Sequence, residues 1–302
     1  MMKHYLGVDL GGTNVRVAKV DETGNIIYQA KTAIDGMAGP DVVLPEIYAL
    51  IKEVPDWNEC AGIGIGVPGP VQTGKGMMTI STNLKDFAGL PLKKIFEEEL
   101  GIPTFVDNDA NVAGLAEALV GAGAGKPIVY YATISTGIGG ALVVNGQVVS
   151  GNKGFAGEIG NIIVDRTRPF RNLGTNQGSM ESEAGGRAVT IRAKEVFGED
   201  KIEHAGDLFD LAKSGDSLAK EMVDLITEDL AIGFAAITHV VDPCLFVIGG
   251  GLLKSKDVWF EDFKLKFYER IHAGMRETEI VTAKLEEPGL VGAAMLPVSF
   301  GK

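Results

Sequence analysis

Five short runs of residues carry chemistry-capable side chains or exposed backbone at suggestive spacing. Asp9-Leu10-Gly11-Gly12-Thr13-Asn14 puts two glycines at a turn that follows an apolar run. Backbone N–H groups in such a turn can point at an anion, with Thr13 and Asn14 adding side-chain donors. Asp9, at the strand end, could hold Mg²⁺ through water, because Mg²⁺ keeps much of its hydration shell. Ser135-Thr136-Gly137-Ile138-Gly139-Gly140 repeats that logic later in the chain, and Gly249-Gly250-Gly251 offers a flat backbone surface on which a planar base could lie. Asp107-Asn108-Asp109-Ala110-Asn111 sets four polar side chains where an apolar run enters a helix. One Asn or Asp suffices as a helix cap. A further carboxylate could take the proton of an attacking hydroxyl, with an amide beside it to orient that hydroxyl. Glu158, in Gly154-Phe155-Ala156-Gly157-Glu158-Ile159-Gly160-Asn161, sits among glycines and apolar residues and could accept hydrogen bonds from a polar ligand; Glu181 is a similar candidate. Taken singly, each glycine run is equally an ordinary tight turn, and Glu181 equally an exposed helix residue. No Gly-Lys-Ser/Thr follows the first turn, so it is not a Walker A loop, and a strand rather than a helix comes next, so it is not a Rossmann fingerprint.

The elements that must position these residues follow from periodicity. Residues 5–9, 15–21 and 26–33 predict an antiparallel meander opening with a Gly-Gly turn, and 41–53 predict a helix. Residues 61–69 predict a strand and turn, 91–100 a helix ending at Gly101, and 102–109 a strand running into a helix near Ala110. The order strand, glycine turn, strand recurs at 128–150, which suggests an internal duplication. Helices are expected at 179–197, 206–214, 216–240, 258–272 and in the tail, with a strand at 244–251. The class is α/β with two echoing lobes and a cleft between them. Expected domain limits are 1–113 plus 288–302 for a small N-terminal lobe and 114–287 for a large C-terminal lobe.

The bulk properties bound the function. A net charge of −12 argues against a nucleic-acid surface. Cys60 and Cys244 are far apart and share no motif, so both are expected as buried apolar thiols rather than a disulfide or a zinc site. The start of the chain enters a strand at once, without a signal-peptide pattern. The most apolar stretch, 230–253, is broken by His239, Asp242, Pro243 and glycines, so no membrane partner is expected. A reducing cytoplasm fits these features.

In this order, the five runs resemble the ROK family of sugar kinases and sugar-responsive repressors, over essentially the whole chain. The resemblance implies an actin-like, ribonuclease-H-like pair of lobes with the active site in the interlobe cleft. It implies ATP with Mg²⁺ as the phosphoryl donor and a small-molecule sugar as acceptor. Asp109 would be the base that activates the sugar 6-hydroxyl. Gly69, Asn83, Asn108, Glu158, Asn161 and Glu181 would bind the sugar; Gly11, Gly12, Thr13, Asn14, Thr136 and Gly137 would cradle the phosphates; Gly250 and Gly251 would face the adenosine. Many members carry a histidine three residues after the glutamate of the GEIG motif and three cysteines beyond it that bind zinc. Here Asn161 replaces the histidine, and Asn172, Gly174 and Ser179 stand at the cysteine positions, so no zinc is expected. A repressor of the family needs an N-terminal DNA-binding segment, for which the early phosphate motif leaves no room. Glucose is the first expected substrate; N-acetylmannosamine, another acylated hexosamine, fructose and a β-glucoside are alternatives, as is a non-catalytic sugar sensor. A homodimer is the expected assembly.

Overall fold

The computed structural model describes residues 2–171 and 173–300. Asn172, one of the positions weighed for zinc, lies outside them. The chain divides into two compact units: Met1–Tyr131, Ala141–Gly157 and Ala283–Lys302 form the first, and Ala132–Gly140 with Glu158–Thr282 form the second.

The first unit opens with β1 (His4–Leu10), β2 (Asn14–Asp21) and β3 (Ile26–Ala33), the antiparallel meander predicted from alternation. Helix α1 (Pro40–Lys52) follows, then β4 (Ile63–Val67), the short pair β5 (Val71–Gln72) and β6 (Met77–Met78), and α2 (Leu92–Leu100). Helix α2 ends on Gly101 in the left-handed conformation, where a Cβ would be strained. Strand β7 (Thr104–Asn108) leads directly into α3 (Asp109–Leu119). The sheet order is β3-β2-β1-β4-β7, with β4 parallel to both β1 and β7.

The tail helix α9 (Pro288–Phe300) belongs to this first unit and explains Gly62 and Gly64 among the alternating glycines of residues 62–66, while Gly66 faces Val112 of α3. A Cβ on Gly64 would lie 1.7 Å from the Ala293 carbonyl oxygen, and one on Gly292 would lie 1.7 Å from that of Val112. Backbone therefore meets backbone where α9 crosses β4 and α3, an approach only glycine permits. The other face of the sheet is closed by α1 and α2, whose Ile47, Ile51, Leu92 and Phe96 are fully buried in one cluster with Val15, Val17 and Ile65.

Five further strands form a second sheet of order β10-β9-β8-β11-β12. They are β8 (Ile128–Ile134), β9 (Ile138–Val144), β10 (Gln147–Val148), β11 (Leu245–Gly249) and β12 (Glu279–Thr282). The order matches that of the first sheet strand for strand, so the internal repetition read from the glycine turns extends to topology. Strand β12 escaped the sequence reading: four residues are too few to show alternation against flanking polar chain.

The second unit also holds α4 (Met180–Ala184), α5 (Gly186–Phe197), α6 (Ala205–Ser214), α7 (Ser217–Val241) and α8 (Lys256–Arg270). The single helix expected over 179–197 is two, because Gly185 adopts an extended conformation (φ −66°, ψ 145°) between α4 and α5. Helix α7 packs Phe234 against Phe246 and Phe263 at ring separations of 5.0 and 5.1 Å. Cys60 is buried, as expected, but Cys244 is only half-buried, since it lies at the chain's entry into β11 and not within it. No helix among the described residues is long and apolar enough to cross a membrane.

Candidate active site

The junction of β7 and α3 sorts the four polar residues of its run into distinct tasks. Asn108 is the helix cap: its Oδ1 accepts the N–H of Ala110 at 2.9 Å and of Asn111 at 3.3 Å, while its Nδ2 donates to the Gly69 carbonyl at 3.1 Å. Asp107 turns inward, fully buried, and accepts from Asn111 Nδ2 at 2.8 Å. Asp109 alone of the carboxylates keeps its side chain in contact with solvent. Crowding by surrounding protein pushes its carboxyl above the usual range, with the charge of Asp9 adding to the effect, while the Ala110 N–H at 2.8 Å opposes it. A carboxylate so raised is a better proton acceptor than a free aspartate.

The first glycine turn closes β1 onto β2, with the Gly11 N–H donating to the Asn14 carbonyl at 2.9 Å. Thr13 and Asn14 are exposed, and Asn14 Nδ2 donates to Thr13 Oγ1 at 3.0 Å. Asn83 is brought against this turn: a Cβ on Gly12 would lie 2.9 Å from the Asn83 carbonyl oxygen. Gly69, Asn83, Asn108, Asp109 and the turn all belong to the first unit.

Asp9 carries a partner that the motif reading missed. The register of β1 and β2 sets Arg16 opposite Asp9, and Arg16 Nε donates to Asp9 Oδ2 at 3.0 Å. Arg16 also pairs with Glu287. The hairpin pattern held that signal, since opposed positions on paired strands bring opposite charges together. Asp9 Oδ2 is engaged by Arg16, which leaves Oδ1 as the atom able to meet a metal-bound water, so the residue fits an outer-sphere Mg²⁺ through one oxygen.

In the second unit the other two glycine runs converge. A Cβ on Gly250, whose φ is +95°, would lie 2.3 Å from the Ile134 carbonyl oxygen, and one on Gly251 would lie 3.4 Å from Ser135 Oγ. The start of α5 docks on the same turn: Gly186 N–H donates to the Ser135 carbonyl at 2.8 Å and Arg187 N–H to that of Thr136 at 2.9 Å. Together they border a cavity of about 560 Å³ whose walls include Ser135, Thr136, Arg187, Lys194, His204, Phe209, Gly251, Leu252, Lys254 and Ser255. It has the size for a nucleoside, with apolar walls from Phe209 and Leu252 and cations at Arg187, Lys194 and Lys254. None of the helix residues in this wall carried a motif in the sequence. They come from α5, from the start of α6 and from the turn after β11, which only folding assembles.

Glu181, expected as a sugar ligand, is half-buried on α4, and its Oε2 accepts the Ile138 N–H at 2.6 Å. A Cβ on Gly160 would lie 3.1 Å from the same oxygen, so the run that holds Glu158 and Asn161 passes directly beside Glu181. Glu158 and Asn161 are exposed, and Asn161 Oδ1 accepts the Asn176 N–H at 3.4 Å.

The segment weighed for zinc is bound by ion pairs. Glu183, fully buried on α4, lies 3.9 Å from Arg168 Nε, 3.7 Å from Arg171 Nη1 and 3.6 Å from Arg192 Nη1. Asp229 of α7 lies 3.5 Å from Arg168 Nη2; burial pushes its carboxyl up to about 6. Ser179 is the cap of α4, its Oγ accepting the Ser182 N–H at 3.3 Å, and Gly174 takes a positive φ of 84°. Among the described residues no group of three or more His, Cys, Asp or Glu side chains could hold a metal ion.

Comparison with known proteins agrees with this architecture. The chain matches the ROK family over residues 5–299. It is 32% identical to a glucokinase of Thermotoga maritima over 305 residues, 96% of each chain. The ROK hexokinase of Thermus thermophilus superposes with a TM-score of 0.87 at 29% identity, over 97% of each chain. A ROK family glucokinase of Streptomyces griseus in complex with glucose and AMPPNP superposes with a TM-score of 0.75 at 27% identity, over 97% of this chain and 98% of that one. The chain belongs to the ROK family, and its α/β fold is the actin-like one.

Proposed function

We propose that this member of the ROK family is an ATP-dependent sugar kinase that phosphorylates a hexose, glucose first among them, at its 6-hydroxyl. One observation carries the reading. Of the polar residues at the β7–α3 junction, Asn108 is consumed by the cap and Asp107 by the interior, while Asp109 keeps contact with solvent with its carboxyl raised. A raised, accessible carboxylate is what an attacking alcohol needs as proton acceptor. The glucokinase name of the Thermotoga maritima relative and the glucose and AMPPNP bound by the Streptomyces griseus protein support the choice of sugar and donor.

In this reading Asp109 takes the proton of the 6-hydroxyl as its oxygen bonds to the γ-phosphorus and the bond from that phosphorus to the ADP oxygen breaks. Gly69, Asn83, Asn108, Glu158, Asn161 and Glu181 hold the sugar. Gly11, Gly12, Thr13, Asn14, Thr136 and Gly137 meet the phosphates, and Gly250 and Gly251 face the adenosine, Gly251 from the wall of the cavity. Mg²⁺, met by Asp9 Oδ1 through water, would neutralise charge on the phosphates. Positioning of these groups supplies most of the rate, since phosphoryl transfer asks little covalent chemistry of the protein. The reading includes a homodimer in the cytoplasm.

The test is ADP release with ATP and Mg²⁺ across a panel of glucose, mannose, fructose, N-acetylmannosamine, N-acetylglucosamine and an aryl β-glucoside. The highest kcat/KM is expected with glucose. Turnover led by another sugar would replace glucose as the substrate, and sugar binding without ADP release from any member would make the protein a sensor.

A further inference from the structure

Asp107 is the carboxylate of the junction for which the transfer above has no use. It is fully buried at the end of β7. Its Oδ1 accepts the Asn108 N–H at 2.7 Å and Asn111 Nδ2 at 2.8 Å, and its Oδ2 accepts the hydroxyl of Ser150 at 3.2 Å. An amide, a backbone N–H and a hydroxyl are all uncharged, and the bonds they donate offset only part of the cost of removing a carboxylate from water. Burial accordingly pushes its carboxyl up to about 6. An asparagine of the same shape would serve the cap-side bonds without that penalty.

Ser150 shows what the second oxygen holds. It is 7% exposed and begins the segment that runs into Glu158. Its carbonyl accepts the Ala156 N–H at 3.2 Å, which closes residues 150–156 into a loop. The loop is packed tightly elsewhere too: a Cβ on Gly154 would lie 2.1 Å from the Val71 carbonyl oxygen, and Thr79 Oγ1 donates to the Lys153 carbonyl at 3.3 Å. One carboxylate thus grips, on one oxygen, the strand end that presents Asn108 and Asp109 and, on the other, the root of the loop that delivers Glu158.

We propose that Asp107 is a positioning residue, which through Ser150 fixes the 150–156 loop to the strand end carrying the catalytic base and so sets the affinity for the sugar. The proposal rests on the kinase reading for its kinetic consequence, though not for the tether itself. A purely structural role is separable, because replacing the carboxylate by an isosteric amide relieves a buried charge.

The experiment is a double-mutant cycle of Asp107→Asn and Ser150→Ala, read by sugar KM, kcat, thermal midpoint and amide hydrogen exchange at Ala156. Each single change is expected to raise the sugar KM by about tenfold or more, the scale of one hydrogen bond to a charged group, with the KM for ATP unchanged. The double change is expected to be no worse than the stronger single one, since both act on one contact, which Asp107→Asn can meet only in reverse and uncharged, its Nδ2 donating to Ser150 Oγ. The midpoint of Asp107→Asn is expected to equal or exceed that of the parent. Ala156 exchange is expected to quicken in both variants. Sugar KM values that stay within about twofold, or that multiply in the double variant, overturn the proposal, as does loss of midpoint in proportion to lost activity. If the parent phosphorylates no hexose, the kinase reading fails by itself; the tether is then decided by Ala156, whose unchanged exchange in both variants overturns it.

Discussion

Oε2 of Glu181 accepts the Ile138 N–H at 2.6 Å, so a carboxylate expected at the sugar also closes the glycine turn expected at the phosphates. The contact is tight enough that a Cβ on Gly137 would lie 2.4 Å from the same oxygen. In the proposed reading, sugar recognition and phosphate recognition are therefore coupled through one side chain. Glu181→Ala should lower kcat/KM by roughly ten- to a hundredfold, the scale of a hydrogen bond to a charged group, with the KM for ATP as well as that for sugar raised. Steady-state kinetics with each substrate varied decides it: a change confined to the sugar KM would show that the shared contact has no bearing on ATP.

Asp109→Asn keeps the size of the side chain and removes the proton acceptor. Turnover should fall by about 10²- to 10⁴-fold, the usual contribution of a general base, while glucose affinity by calorimetry changes by no more than about threefold. Retained turnover would remove Asp109 from the chemistry.

The two glycines after β11 should respond differently to alanine. Gly250 has φ +95° and no space for a Cβ, so Gly250→Ala should unfold at a lower temperature or fail to accumulate. Gly251 has ordinary contact distance to Ser135 Oγ and lines the cavity, so Gly251→Ala should fold normally. A larger residue, Gly251→Leu, should raise the KM for ATP by about tenfold or more with the sugar KM unchanged, because it fills the cavity that the proposed reading gives to the adenosine. Equal ATP kinetics in the leucine variant would place the nucleoside elsewhere.

Glu183 faces three guanidinium groups, and removing it leaves buried charge uncompensated. Glu183→Ala should cost about 3–5 kcal/mol and lower the thermal midpoint by roughly 5–10 °C. Calorimetry at low and high salt tests this, and a buried cluster should show little salt dependence.

The ionisation of Asp107 gives a signed pH effect. Its carboxyl sits near 6 in the fold against an ordinary 3.8, so the folded state binds the proton more tightly than the unfolded chain. That stabilisation is complete below pH 3.8 and disappears as pH rises through about 6. Relative to wild type, Asp107→Asn should therefore gain stability between pH 4 and 7, by up to about 3 kcal/mol at the upper end. Denaturant unfolding of both proteins at matched pH values measures the difference, and a constant gap across that range would show that Asp107 does not titrate there.

Much of the first unit was legible because its local signals agree. Alternation gave β1, β2 and β3, Gly101 gave the end of α2, and the surplus of polar residues after β7 marked the candidate site. The alternating glycines of residues 62–66 marked a strand, but not the reason for Gly62 and Gly64, which is a helix more than two hundred residues away in the chain pressing on that strand. The break between α4 and α5 was missed because two adjacent glycines can end a helix or be tolerated within it, and docking on Ser135 and Thr136 decides between them.

By itself, the sequence determined the class of the fold, the place of the glycine turns and the polar run that holds the candidate base, since periodicity, turn chemistry and excess polarity are local properties. The tertiary structure alone decided who the distant partners are: Ser150 for Asp107, Ile138 for Glu181, and the cavity wall drawn from α5, α6 and the turn after β11. The physical reason is that a hydrogen bond or an ion pair acts over a few ångströms in space whatever the separation along the chain, and only the packed backbone converts one distance into the other.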